Sequence, residues 1–319
     1  MIHFRSFRNT DPPALCEIWR SQPPRRGLVS SLSPMLLDRY VLSKPYFDRE
    51  GLIVAEDDDR PIGFAHAGFG PEIEGGKRSE RGVLSMVMTL PTTDSNSLAS
   101  DLVDRAEQYL RERGVRECTA LGVGELCPYY LGLNGGSSVS GVLNSDGALG
   151  KLFTSCGYER RREWTVWQRQ MASFRPPVDR KLMQVRREFH VEAQIDPPLK
   201  GWWQACMYVA HDLTRFDIRQ RSKDKSLGRV LFWEMEPIAS SWGLHANGII
   251  NIEIHPDFRR RGLATFLLGE SLRQLQAQGV TVVEVHSDAE DPIAAELLKK
   301  LGFQSVDMGN EMVKSLLST

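Results

Sequence analysis

The chain has 319 residues, 41% of them hydrophobic and 25% charged, with 40 basic and 41 acidic side chains. It is long enough for two ordinary domains and too apolar for a disordered chain. It also lacks the basic excess that a polyanion-binding protein carries over a whole domain. The cysteines, Cys16, Cys118, Cys127, Cys156 and Cys206, form no CxxC pair and have no histidine partners at zinc spacing. Reduced thiols and no metal site are expected. The opening "MIHFRSFRNTD" has no apolar core of the signal-peptide kind, and no run of about 18 apolar residues occurs. The expectation is a soluble, cytoplasmic chain with no membrane and no nucleic-acid partner.

In chain order, "IHFRSF" alternates like a strand, and "DPPALCEIWRSQ" reads as a helix opened by Asp and Pro. "SPMLLDRYVLS" is a second helical stretch. "LIVAEDDDRPIGFAHAGF" is the strongest hairpin signal, two apolar runs about a short charged connection. "GVLSMVMTLP" is a strand ending at Pro91; a helix from Ser95 to Arg113 and the strand "ECTALGVG" follow. The Gly/Ser-rich "CPYYLGLNGGSSVSG" reads as a mobile segment that covers a pocket with Tyr129 or Tyr130, or as a surface insertion. Helix "GALGKLFTSCG" and strand "ERRREWTVWQRQM" end this half. The stretch 172–179, "ASFRPPVD", has the composition of a linker.

Beyond it the order begins again. The pattern predicts a strand over 184–195, a helix over 201–216, and strands at "GRVLFWEM" and "GIINIEIHP". A helix after "RRRG", strand "VTVVEVHS", helix "DPIAAELLKKLGF" and a strand near "EMVKSLL" complete it. The two halves align by register. Pro256 meets Pro91 at an offset of 165, and there Gly262-Leu263-Ala264 meets Ser97-Leu98-Ala99 and Gly279-Val280 meets Gly114-Val115. Gly302-Phe303 meets Gly157-Tyr158 at 145, so the first half carries about 20 additional residues near "YYLGLNGGSSVSGV". The reading is two copies of one unit: 1–171, a linker at 172–179, and 180–319.

The chemistry concentrates in "EIHPDFRRRGLATFLL" (253–268). Three arginines stand before a helix start, where exposed N–H groups already carry partial positive charge. Each costs roughly 0.3–1 kcal/mol unless an anion answers it. Gly262 lets a ligand approach the backbone, and the first-turn N–H groups serve as donors to a pyrophosphate. Ala264, Leu268, Leu272 and Leu275 fall on one helical face suited to packing on a sheet. At the matching junction the first copy has Asp94 and Ser97, side chains that cap a helix themselves and repel a phosphate. The similar "PPRRGLVS" (23–30) follows no apolar strand and reads as a loop. In "GWWQACMY", one tryptophan is expected in the core and one partly exposed.

Arg259-x-x-Gly262-x-Ala264 resembles motif A of the GNAT superfamily of N-acetyltransferases, Q/R-x-x-G-x-G/A between a strand and a helix. The family's N-x-x-A-x-x-L-Y-x-x-x-G-F pattern is met by Asp291, Ala294, Leu297, Leu298, Gly302 and Phe303. The resemblance implies an α/β fold of two tandem domains, each a central, mostly antiparallel twisted sheet with helices on both faces. The arrangement is similar to that of mycothiol synthase, with a degenerate N-terminal copy. It also implies acetyl-CoA as cosubstrate and direct transfer of acetyl to the primary amine of a small-molecule or peptide acceptor. The alternative is a non-catalytic acyl-CoA-binding or regulatory protein.

By this resemblance the strand Ile252, Glu253, Ile254 and His255 pairs with the pantetheine arm. Arg259, Arg260, Arg261, Gly262, Leu263, Ala264 and Thr265 surround the pyrophosphate, and Asp291 and Leu298 border the cofactor from the last helix. The family's frequent acid and base, a Tyr and a Glu, are replaced by Leu298 and Gly248. Glu253, Glu284 and His286 are the catalytic candidates, with His245 and His255 nearby.

Overall fold

The computed structural model describes residues 1–71, 80–91 and 95–317. It divides into two compact units that do not follow the linear order of the chain. Unit 1 comprises 1–163, 201–210 and 308–319, and unit 2 comprises 164–200 and 211–307.

Unit 1 begins with strand β1 (His3–Ser6) and helix α1 (Pro12–Arg20). Pro12 enters α1 without forfeiting a hydrogen bond, because first-turn N–H groups have no intrahelical acceptor, and Leu15, Cys16, Ile18 and Trp19 form its buried face. After the short α2 (Pro34–Leu37) come β2 (Leu52–Asp57), β3 (Arg60–Phe69), β4 (Arg81–Thr89), α3 (Ser95–Glu112) and β5 (Glu117–Ala120). Two-residue β6 (Val142–Leu143) and α4 (Gly147–Ser155) follow. The sheet runs β1-β2-β3-β4-β5 and is completed by β13 (Gln304–Ser315) from the far end of the sequence, with β6 beside β13. Only the β4–β5 contact is parallel.

The Gly/Ser-rich segment is neither a cover nor a surface insertion. Tyr129 and Tyr130 are 3% and 1% exposed, the Tyr130 hydroxyl lies 3.0 Å from His66 Nδ1, and Tyr129 stacks on His66 at 4.0 Å. Gly135 N–H donates to the Gly27 carbonyl, and Val29 N–H to that of Leu133. The 23–30 loop and the insertion are thus knitted into one packed layer. At Gly141 (φ +69°) a β-carbon would stand 2.0 Å from the Asn310 carbonyl oxygen, so a side chain there has no room beside the C-terminal strand.

Unit 2 opens on the second half of β7 (Glu159–Gln170). Then come α5 (Arg180–Glu188), β8 (Phe189–Ile195), β9 (Leu213–Gln220), β10 (Lys223–Glu234) and α7 (Glu236–Trp242), with α6 (Trp202–Tyr208) assigned to unit 1. β11 (Ala246–Ile254), α8 (Leu263–Ala277), β12 (Val282–Asp288) and α9 (Pro292–Lys300) complete it. The strand order is β8-β9-β10-β11-β12-β7, parallel only between β11 and β12. Leu263, Leu267, Leu268 and Leu272 of α8 pack in the core with Phe216, Phe232, Val283 and Val285.

Two sequence readings are corrected. Residues 184–188 are helical, because Asp179 accepts the Leu182 N–H at 2.8 Å and caps α5, whose Leu182 and Val185 turn inward together. The helix over 201–216 stops at Tyr208, and Leu213–Gln220 is a strand paired on both edges, with β8 and β10. Short α7 had no strong periodic signal. In segment 172–179, Phe174 is 3% exposed and its carbonyl accepts from Gln276 Nε2 at 3.4 Å, while Val178 is 79% exposed. Trp202 is 58% exposed, while Trp203 stacks on Tyr46 at 4.9 Å.

The closing strands are exchanged between the two sequence copies. β7, from the end of the first, pairs with β12 from Trp164↔Asp288 to Gln170↔Val282. β13, from the end of the second, pairs with β5. Residues 172–319 produced alone are therefore expected to aggregate, or to melt at least about 10 °C below the full chain. Light scattering and thermal circular dichroism check this; equal stability would show β7 to be dispensable.

Candidate active site

β11 and β12 pair from Ala246↔Val282 to Ile249↔Val285 and then part. At that point β11 carries a bulge: Leu231 faces Asn251 and Phe232 faces Ile249, leaving Ile250 as the extra residue. From there to Ile254 the strand's cross-strand partners are on β10, so its opposite backbone edge faces outward from the sheet.

A cleft of about 680 Å³ opens along this edge. Ile252, Glu253 and Ile254 of β11 form one side, and Phe258, Arg259, Arg260, Gly262, Leu263, Ala264 and Thr265 form the end. Asp291, Ile293, Ala294, Leu297 and Lys300 come from α9, and Asp179, Lys181 and Leu182 from the start of α5. Gly262 is the N-cap of α8 with φ +86°, a left-handed conformation that glycine adopts without strain. Having no side chain, it leaves the first-turn N–H groups of α8 unmet by any side-chain cap. Arg260 is also left-handed, at φ +63°.

Four cations and four carboxylates, Glu296 among them, line the cleft, but the cations nearest the start of α8 are not paired with the carboxylates. Arg259 Nε donates to the Ile254 carbonyl at 3.0 Å, and Lys181 Nζ to that of Arg260 at 2.9 Å. Among the described residues, neither these two nor Arg260 has a carboxylate partner. α9, by contrast, is capped: Asp291 Oδ1 accepts from the N–H groups of Ile293 and Ala294 at 2.9 and 3.0 Å. The arrangement fits an elongated polyanion with an apolar, hydrogen-bonding arm, taking up helix donors and cations at one end and the β11 edge along its length.

Most of the expected binding residues come together, but three stand apart. His255 lies 3.6 Å from Asp257, the Arg261 guanidinium stands over the Phe258 ring at 5.2 Å, and neither lines the cleft. Leu298 is 2% exposed in the core of unit 2, and Leu297 faces the cleft in its place. Lys181 and Leu182 are additions, missed because residues 180–183 fell between the linker read at 172–179 and the strand read from 184. In the first copy, Asp94 lies outside the described residues, and Ser97 falls within α3.

The catalytic candidates separate as well. Glu253 is half-exposed and held by Arg229 at 2.6 Å and by Asn251 Nδ2 at 2.7 Å. Burial alone would raise its pKa, but the hydrogen bond and charge of Arg229 prevail and hold it below the ordinary value. Glu284 is fully buried where β11 and β12 still pair, opposite Gly248. One of its oxygens accepts from Gln168 Nε2 at 2.8 Å, and the other lies 3.2 Å from His286 Nε2. His286 follows Val285, the last residue of β12 paired with β11, and itself pairs with Val166 of β7. His245 pairs with Glu234 at 3.0 Å.

Residues 13–126 and 183–303 match the model of the acetyltransferase (GNAT) family, and the chain belongs to that family. No curated protein matches. Among solved structures, a tandem GNAT protein from the clavulanic acid biosynthesis pathway aligns over 100% of both chains, at TM-score 0.69 and 12% identity. A GCN5-related glucosamine N-acetyltransferase region of a fungal multi-domain β-N-acetylglucosaminidase covers 98% of this chain and 38% of its own, at TM-score 0.70 and 14% identity. A GCN5-related N-acetyltransferase from Sphaerobacter thermophilus covers 99% and 96%, at TM-score 0.63 and 14% identity. At these identities the likeness is one of fold. Among the described residues, no helix is long and apolar enough to cross a membrane.

Acetyl-CoA, which the family uses generally, is expected to raise the melting temperature by about 4–8 °C at a hundredfold excess over its Kd. Gly262→Asp, which adds an anion and a strained side chain at φ +86°, is expected to lose most of that shift, and Arg261→Ala to keep it. Differential scanning calorimetry with and without acetyl-CoA reads both. Loss of the shift in Arg261→Ala alone would contradict the assignment of the cleft.

Proposed function

We propose that the protein is an N-acetyltransferase that moves an acetyl group from acetyl-CoA to the primary amine of a small-molecule or peptide acceptor by direct transfer. The observation that carries this reading is the cleft of unit 2, where an uncapped helix start and three cations without carboxylate partners flank an open strand edge. In this reading the α8 N–H groups and Arg260 hold the pyrophosphate, and the β11 edge holds the pantetheine amides. Bound acetyl-CoA supplies the activated thioester carbonyl.

Direct transfer requires a neutral amine, and therefore a group that accepts its proton. Glu253 suits this poorly, because its ion pair with Arg229 stabilises the charged carboxylate and lowers its basicity. His286, its side chain 2% exposed, lies against a carboxylate where Glu253 lies against an arginine, and suits it better. It adjoins the parting of β11 and β12, and Glu284 stands behind its Nε2 to stabilise the imidazolium that proton uptake creates. Gln168 fixes the other carboxylate oxygen and so orients the pair. The bulge at Ile250 leaves backbone at the same point to meet a developing oxyanion. Leu298 and Gly248, at the family's frequent acid and base positions, carry no proton, so the transfer relies on β12.

Release of free CoA thiol from acetyl-CoA in the presence of a panel of primary amines tests the activity. With an amine that turns over, His286→Gln is expected to lower kcat by about 100-fold or more, with the acetyl-CoA melting shift retained. Glu253→Gln is expected to stay within about threefold of the parent. Binding without turnover of any amine would favour an acyl-CoA-binding or regulatory protein. The reverse ranking of the two variants would move the base to β11.

A further inference from the structure

We propose that Lys181, which lies outside both sequence motifs, is a phosphate ligand for the acyl-CoA cosubstrate; this rests on reading the cleft as an acyl-CoA site. α5 is fixed at its start by Asp179, which caps the Leu182 N–H and receives Lys300 of α9 at 3.4 Å. That anchoring sets the next turn of α5 over the start of α8. A β-carbon built on Gly262 would stand 3.5 Å from Lys181 Cε, so the lysine stem lies directly across the glycine from which the free α8 donors begin.

The ammonium is committed to one acceptor, the Arg260 carbonyl at 2.9 Å. Of its three donors, two remain. Asp179, two residues away, is the nearest carboxylate in sequence, but it is engaged by the Leu182 N–H and Lys300. Lys181 is exposed in the cleft, with spare donors and, among the described residues, no carboxylate bonded to it, beside helix N–H groups that no side chain caps. A phosphate is the anion chemistry that answers both sets together. The bond to the Arg260 carbonyl has a second effect. It holds the left-handed Arg260 in place, so the loop is shaped before ligand arrives.

CoA offers two phosphate sources, the pyrophosphate and the ribose 3′-phosphate, and the test separates them. Isothermal titration calorimetry on the full chain compares CoA with 3′-dephospho-CoA for wild type, Lys181→Met and Lys181→Arg. Lys181→Met is expected to weaken CoA at least fivefold, the range of a charge-assisted contact, and Lys181→Arg to restore most of the loss. If both ligands weaken equally, the contact is to the pyrophosphate; if only CoA weakens, it is to the 3′-phosphate. A loss below fivefold, or one that arginine does not restore, overturns the assignment. Wild type that binds neither ligand overturns the reading of the cleft itself, which separates the two failures.

Discussion

β11 and β12 run in parallel for four residues each, Ala246–Ile249 against Val282–Val285, and then separate. The properties of the cleft depend on that separation. Had the pairing continued, the outer edge of β11 would be occupied by β12, and no groove would reach the α8 N-terminus. The bulge at Ile250 increases the local bend of β11 where its neighbour leaves. His286 lies immediately past the last β12 residue paired with β11, still in register with Val166 of β7, so a polar side chain stands where the two parallel strands part.

Unanswered charge is the second constraint. A helix start without a side-chain cap, beside cations that have no carboxylate partner, is less stable alone than its self-capped equivalent. The buried face of α8 (Leu263, Leu267, Leu268, Leu272 and Leu275) offsets that cost through burial worth about 1.5–3 kcal/mol per side chain. The helix can leave its first turn open because the rest of it is held by the core. α9 solves the same end problem with the Asp291 carboxylate, and α5 with that of Asp179. The contrast between these caps and Gly262 sets the start of α8 apart from the two other helix starts at the cleft.

The parts of the site that are local in sequence were legible. Glycine before a helix, arginines at its start and Asp291 capping the next helix are short-range patterns, and they led to the cleft. What depended on long-range pairing was not. The apolar spacing of β7 and β13 reveals strands but not their partners, and nothing in "ERRREWTVWQRQ" indicates that Gln168 pairs with Glu284. α5 was misread because Val185 and Phe189 also suit a strand when the Asp179 cap goes unrecognised. Glu253 and Glu284 looked equivalent on neighbouring strands. Burial separated them: one sits half-exposed in an ion pair, the other fully enclosed behind a histidine. Leu298 matched a family position, yet its helix turns it inward.

The exchanged strands also set an order in time. A ribosome delivers the chain from its N-terminus, and unit 1 lacks its last sheet strand until residues 308–319 appear, 145 residues after position 163. At about 5–20 residues per second this takes roughly 7–30 s. During that interval the β5 edge has no β13, and β7 is present before the β12 it will join. The strands β7 to β12 of unit 2 are all present once residue 288 has been made, before β13 can close unit 1. Unit 1 is therefore begun before unit 2 and completed after it, and the nascent chain has an open strand edge to protect in between.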